Sequence, residues 1–70
     1  MLERRLREAL SQLPEAQREA FLLKEEAGLS FEAIGDLVGC GRETAKSRYR
    51  YAVDWLRAAL RPDRAWPGAL

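Results

Sequence analysis

The sequence predicts an all-α domain of four helices, on three observations. Apolar residues recur at spacings of three and four along most of the chain. Pro14, Gly28, Gly39, Gly41 and Pro62 divide it at intervals of helix length. No stretch alternates apolar and polar residues as a half-buried strand does, so neither a sheet nor a winged element is expected.

The first helix is expected over residues 2–13, where Leu2, Leu6, Ala9, Leu10 and Leu13 make one apolar face between Glu and Arg side chains. Pro14 interrupts it and suits the first turn of a second helix, which Glu15 favours through its charge and which runs to about Ala27. Ala16, Ala20, Phe21, Leu23 and Ala27 are its inward positions, and Gly28 closes it with Leu29 behind. A third helix over 30–38 starts on Ser30, a preferred N-cap, has Glu32 in its first turn and presents Ile34, Leu37 and Val38. Gly39 stops it, because a glycine takes the left-handed conformation of a tight turn, and Gly41 offers a second permissive position. The fourth helix, over 42–60, packs through Ala45, Tyr49, Ala52 and Leu56 and ends at Arg61-Pro62. Residues 1–61 thus form one domain, and residues 62–70, with two prolines and a glycine, are expected to be a flexible tail.

Seventy residues, 47% of them hydrophobic, suffice for a small helical core and not for a deep active site. The net charge of +1 conceals an asymmetry: residues 1–41 carry five basic and eight acidic side chains, residues 42–70 seven and three. Positive charge therefore begins at the fourth helix, which suits a polyanionic partner there. With no His and Cys40 as the one cysteine, the chain has no intramolecular disulfide, no Cys/His zinc site and no His-based catalysis. Cys40 reads as a small packed residue in the turn, and a reducing, cytoplasmic setting is the simplest reading. The longest apolar run, residues 20–23, is far too short to span a membrane.

Residues 28–51 thus combine a short helix, a tight turn and a basic helix, which is a helix-turn-helix. At 100° per residue, Glu43, Lys46, Ser47 and Arg50 point away from the packing stripe, while Arg42 projects from the helix end. Arginine offers two parallel donors to guanine, glutamate accepts from a cytosine amino group, and lysine suits phosphate as a point charge. The aromatic residues Phe31, Tyr49, Tyr51 and Trp55 lie on mixed helix faces and read as packing groups. The acidic pairs Glu25-Glu26 and Glu32/Asp36 read as solvated surface. No catalytic residue, metal, cofactor or small-molecule substrate is expected.

The chain resembles region four of bacterial sigma factors, most closely the C-terminal DNA-binding domain of the extracytoplasmic-function group, over about residues 5–61. The resemblance rests on Leu13-Pro14 with Arg18 and Phe21, on Gly28-Leu29-Ser30 leading to Ile34 and Gly39-Cys40, and on Thr44, Lys46-Ser47-Arg48, Ala52 and Leu56-Arg57. It implies binding of the promoter minus-thirty-five element by the fourth helix. Arg42, Glu43 and Ser47 would read bases, and Ser30, Thr44, Lys46, Arg48 and Arg50 would hold the DNA backbone. It also implies two protein partners, the flap of the RNA polymerase beta subunit and an anti-sigma factor. Arg42-Glu43 departs from the group's usual apolar and small pair, Ala45 stands for a commoner valine, Tyr49 for a commoner leucine, and Asp54 for a residue that is often basic. Nothing in these residues resembles the family's region two, so they are not expected to read or melt the minus-ten element. Two other readings stay open: the output domain of a response regulator, and a helical protein-interaction module that engages an anti-sigma factor.

Overall fold

A computed structural model describes residues 3–61 and shows four α-helices, α1 (Arg4–Ser11), α2 (Glu15–Glu25), α3 (Phe31–Val38) and α4 (Arg42–Ala59), with no strand among the described residues. The tail expected over 62–70, and Leu2, lie outside that range. Each helix is a little shorter than its periodic pattern, because the terminal residues are used in turns. Pro14, for example, is the N-cap of α2, and its carbonyl accepts from the Gln17 and Arg18 N–H groups.

The eighteen-residue α4 is the spine against which the other three helices pack, α2 most extensively. Around its C-terminal half, Ala52, Leu56 and Ala59 meet Ala9, Leu10 and Leu13, with Leu6, Phe21, Leu22 and Leu60 packed against this core. Nearer the turn Ala20, Ile34, Gly35 and Ala45 are buried, Ile34 being the largest side chain enclosed completely. Two polar ties hold α1 in place. The Trp55 indole Nε1 donates to the Ala9 carbonyl at 2.8 Å, joining α4 to α1. The Arg18 guanidinium donates to the Leu13 carbonyl just past the end of α1 at 3.0 Å and reaches those of Leu10 and Ser11 at 3.5 Å, so it gathers the carbonyls at the C-terminal end of α1.

Four expectations are corrected. The buried face of α3 is Phe31, Ile34, Gly35 and Val38, a regular i, i+3, i+4, i+7 row, and Leu37 stands 64% exposed. Ala27 lies beyond the end of α2 and is exposed, while Leu22 joins the core. Tyr51 is an exposed ring (67%) and not a packing group. Gly41, at φ −75°, occupies ordinary extended backbone and needs no special freedom. For Leu37 and Tyr51 the periodic pattern was right about helix type, and the neighbouring helices decided which residues were covered.

Candidate nucleic-acid interface

The joint between α3 and α4 is built from backbone hydrogen bonds and one close approach. Ser30 Oγ accepts from the Ala33 N–H at 3.0 Å and so caps α3 as its sequence position implies. At the other end Gly39 adopts φ 84°, and the N–H groups of Gly39 and Cys40 both donate to the Gly35 carbonyl, at 2.8 and 2.9 Å. The turn thereby folds back onto its own helix. A methyl group on Gly35 would run into the Cys40 carbonyl oxygen, so Gly35 admits the turn, and Cys40 lies half-buried within it.

That joint presents the start of α4 to solvent. Arg42, Glu43, Thr44, Ser47 and Arg50 are exposed, and Lys46 is half-buried at the edge of the packing stripe. Arg42 Nη1 lies 3.7 Å from Glu43 Oε2, an exposed pair that contributes little to stability and leaves both heads at the helix end. Ser30 is exposed at the start of the preceding helix, its hydroxyl oxygen already accepting and its O–H still able to donate. Arg48 is placed apart. It is half-buried on the opposite edge of the stripe from Lys46 and Arg50, on the side of Trp55. Arg57, to which no DNA contact was assigned, is exposed and extends the Lys46–Arg50 edge at spacings of four and seven.

The face turned inward from this surface is aromatic. The Tyr49 ring stacks on Phe21 with centroids 5.9 Å apart and an interplanar angle of 13°, and meets Phe31 at 5.4 Å and 57°. Lys24 Nζ lies 4.7 Å from the centre of the Phe31 ring. The Tyr49 hydroxyl donates to Glu25 Oε2. This hydrogen bond, helped by desolvation and the Glu25 charge, raises the Tyr49 pKa above its ordinary value, while the positive charge of Arg57 works against the rise. The sequence pattern placed Tyr49 on the stripe, yet nothing local in it indicated that Glu25, 24 residues earlier, would meet its hydroxyl. Among the described residues no cluster of His, Cys, Asp or Glu has the arrangement to hold a metal ion.

A four-helix domain with a capped short helix, a Gly turn and an outward basic helix is a helix-turn-helix of the nucleic-acid-binding class. The family described as Sigma-70, region 4 matches residues 3–56. Over 59 residues the chain is 42% identical to the ECF RNA polymerase sigma factor EcfG of Rhodopseudomonas palustris (strain TIE-1), a match covering 84% of this chain and 33% of that protein. The chain therefore belongs to the region-four family of sigma-70 factors. It spans about a third of the length of that curated relative. No solved structure matches it. No helix among the described residues is long and apolar enough to cross a membrane.

Proposed function

We propose that this domain reads the minus-thirty-five element of duplex promoter DNA through the first turns of α4 and, joined to the RNA polymerase core, places initiation at a fixed distance from it. The observation that carries the reading is the exposure of Arg42, Glu43, Ser47 and Arg50 on one outward surface directly after the Gly39 turn, in a chain of the sigma region-four family. A helix about 10–12 Å across fits a major groove about 12 Å wide. Arg42, Glu43 and Ser47 contact base edges. Lys46 and Arg50 hold phosphates beside them, and Thr44 and the free O–H of Ser30 meet the backbone at the two helix starts. Arg48, on the far edge, serves a phosphate on that side only. The function asks for no catalytic group or cofactor. The polymerase beta-subunit flap and an anti-sigma factor are the protein partners, and a cytoplasmic location follows from the polymerase. The relative's name, an RNA polymerase sigma factor, agrees with this reading.

The test is selection of preferred duplexes from a random pool at low salt, run on the wild-type chain and on Arg42→Ala. A short G-containing motif should emerge and blur at one or two base pairs in Arg42→Ala, a loss of about 1–3 kcal/mol at those positions. Lys46→Ala should instead weaken every duplex alike. Equal losses on all duplexes for both variants would remove the division between base reading and phosphate holding. Absence of enrichment by any of the proteins would favour a protein-interaction module.

A further inference from the structure

In the half of α4 that carries the DNA-facing residues, the packing stripe is nearly bare. Ala45 and Ala52 are completely buried, and their methyl groups set how closely α4 approaches its neighbours, but a methyl offers little resistance to rotation of the helix about its own axis. Between them stands one long side chain, Tyr49. Its ring lies against Phe21 of α2 and Phe31 of α3, and its hydroxyl is tied to Glu25, the last residue of α2. Phe31 is itself held by Lys24, one residue before Glu25. Three helices therefore converge on this side chain, one residue away from Arg50 and two from Ser47.

We propose that Tyr49 is a positioning residue, the rotational key of the recognition helix, with Glu25 as its lock. This rests on the DNA-binding reading above. A rotation of 20° displaces a side chain at the helix surface, about 5–6 Å from the axis, by roughly 2 Å. That displacement is enough to break a base-edge hydrogen bond, whose useful range is a few tenths of an ångström. Phosphate attraction, being non-directional and long-ranged, survives the same rotation. Loss of the key therefore costs discrimination between sequences and spares non-specific affinity.

The experiment compares wild type, Tyr49→Phe, Glu25→Ala, Glu25→Gln and the Tyr49→Phe/Glu25→Ala double variant. Binding is measured to the duplex that the wild-type chain selects from a random pool and to a scrambled duplex of the same length. The readout is the ratio of the two affinities. Both duplexes carry the same phosphates, so a change of protein charge cancels in it. Tyr49→Phe and Glu25→Ala should each lower the ratio about two- to tenfold, as expected for one hydrogen bond, and the double variant no further. Glu25→Gln, whose amide oxygen still accepts, should keep the wild-type ratio. A merely structural role would lower the melting temperature and both affinities together, leaving the ratio unchanged. An unchanged ratio in Tyr49→Phe and Glu25→Ala, with wild type still discriminating, overturns the positioning role alone. Absence of any preference in wild type overturns the DNA reading and this inference with it. Glu25 is exposed, so Glu25→Ala keeps the test decisive even where Tyr49→Phe fails to fold.

Discussion

The Tyr49 hydroxyl shows how one side chain joins stability to site geometry. Its pKa is raised, first by the hydrogen bond to Glu25, so its neutral form is favoured in the folded state. The resulting stabilisation is fully present below the unfolded value of about 10 and is lost as pH rises through the higher native value. Melting curves of wild type and Tyr49→Phe should accordingly differ at pH 8 and converge in strong alkali. A constant gap across that range would mean the hydroxyl contributes through something other than its proton. Gly35 and Gly41 make the opposite point about glycine. Gly41 lies in open space at an ordinary φ, and Gly41→Ser should gain a few tenths of a kcal/mol by capping α4. Gly35→Ala, forced against the Cys40 carbonyl, should cost about 1–3 kcal/mol. Urea midpoints of the two variants should therefore move in opposite directions.

Among the elements, α3 owes its bounds to local signals, the Ser30 cap and the Gly39 turn. The attachment of α1 is different, because it depends on side chains from other helices. From α2, Arg18 reaches its Leu10 and Ser11 carbonyls and bonds that of Leu13 just beyond it, and Trp55 bonds Ala9 from α4. Arg18→Ala should thus destabilise the domain by about 1–3 kcal/mol through carbonyls left without a charged donor, and amide exchange should rise in α1 before α3 or α4. Uniform loss of protection in all four helices would show that α1 does not open separately. The place of Arg18 in the family motif has a physical reason here: it closes the helix that Leu13-Pro14 ends.

On the scale of the whole molecule, charge is spread unevenly, with an acidic first part and a basic α4, and the total stays near neutral. Such a domain gains orientation from its field without clinging to any polyanion. With Lys46, Arg48 and Arg50, joined by Arg57, as the phosphate-neutralising groups, the slope of log affinity against log salt should be about −3 to −4. A slope near zero would contradict phosphate contact by this face.

The number, type and order of the helices, the turn at Gly39 and the packing stripe of α4 were legible in the sequence, because caps, glycine stops and 3.6-residue periodicity act within a few residues. So was the exposure of Glu43, Ser47 and Arg50, which follows from the stripe opposite them. Leu37 was misjudged because the true face of α3 contains Gly35, a buried residue with no side chain to count. Arg48 and Lys46 stand on opposite edges of the α4 stripe because two residues span about 200° of a helix, which the sequence also carries. The tie between Tyr49 and Glu25 was not legible there. The sequence by itself determined which segments become helices and which of their faces are apolar. Only the tertiary structure decided which residues those faces cover and how α4 is keyed in rotation, because both depend on where another helix passes, and that is set by contacts between residues far apart in the chain.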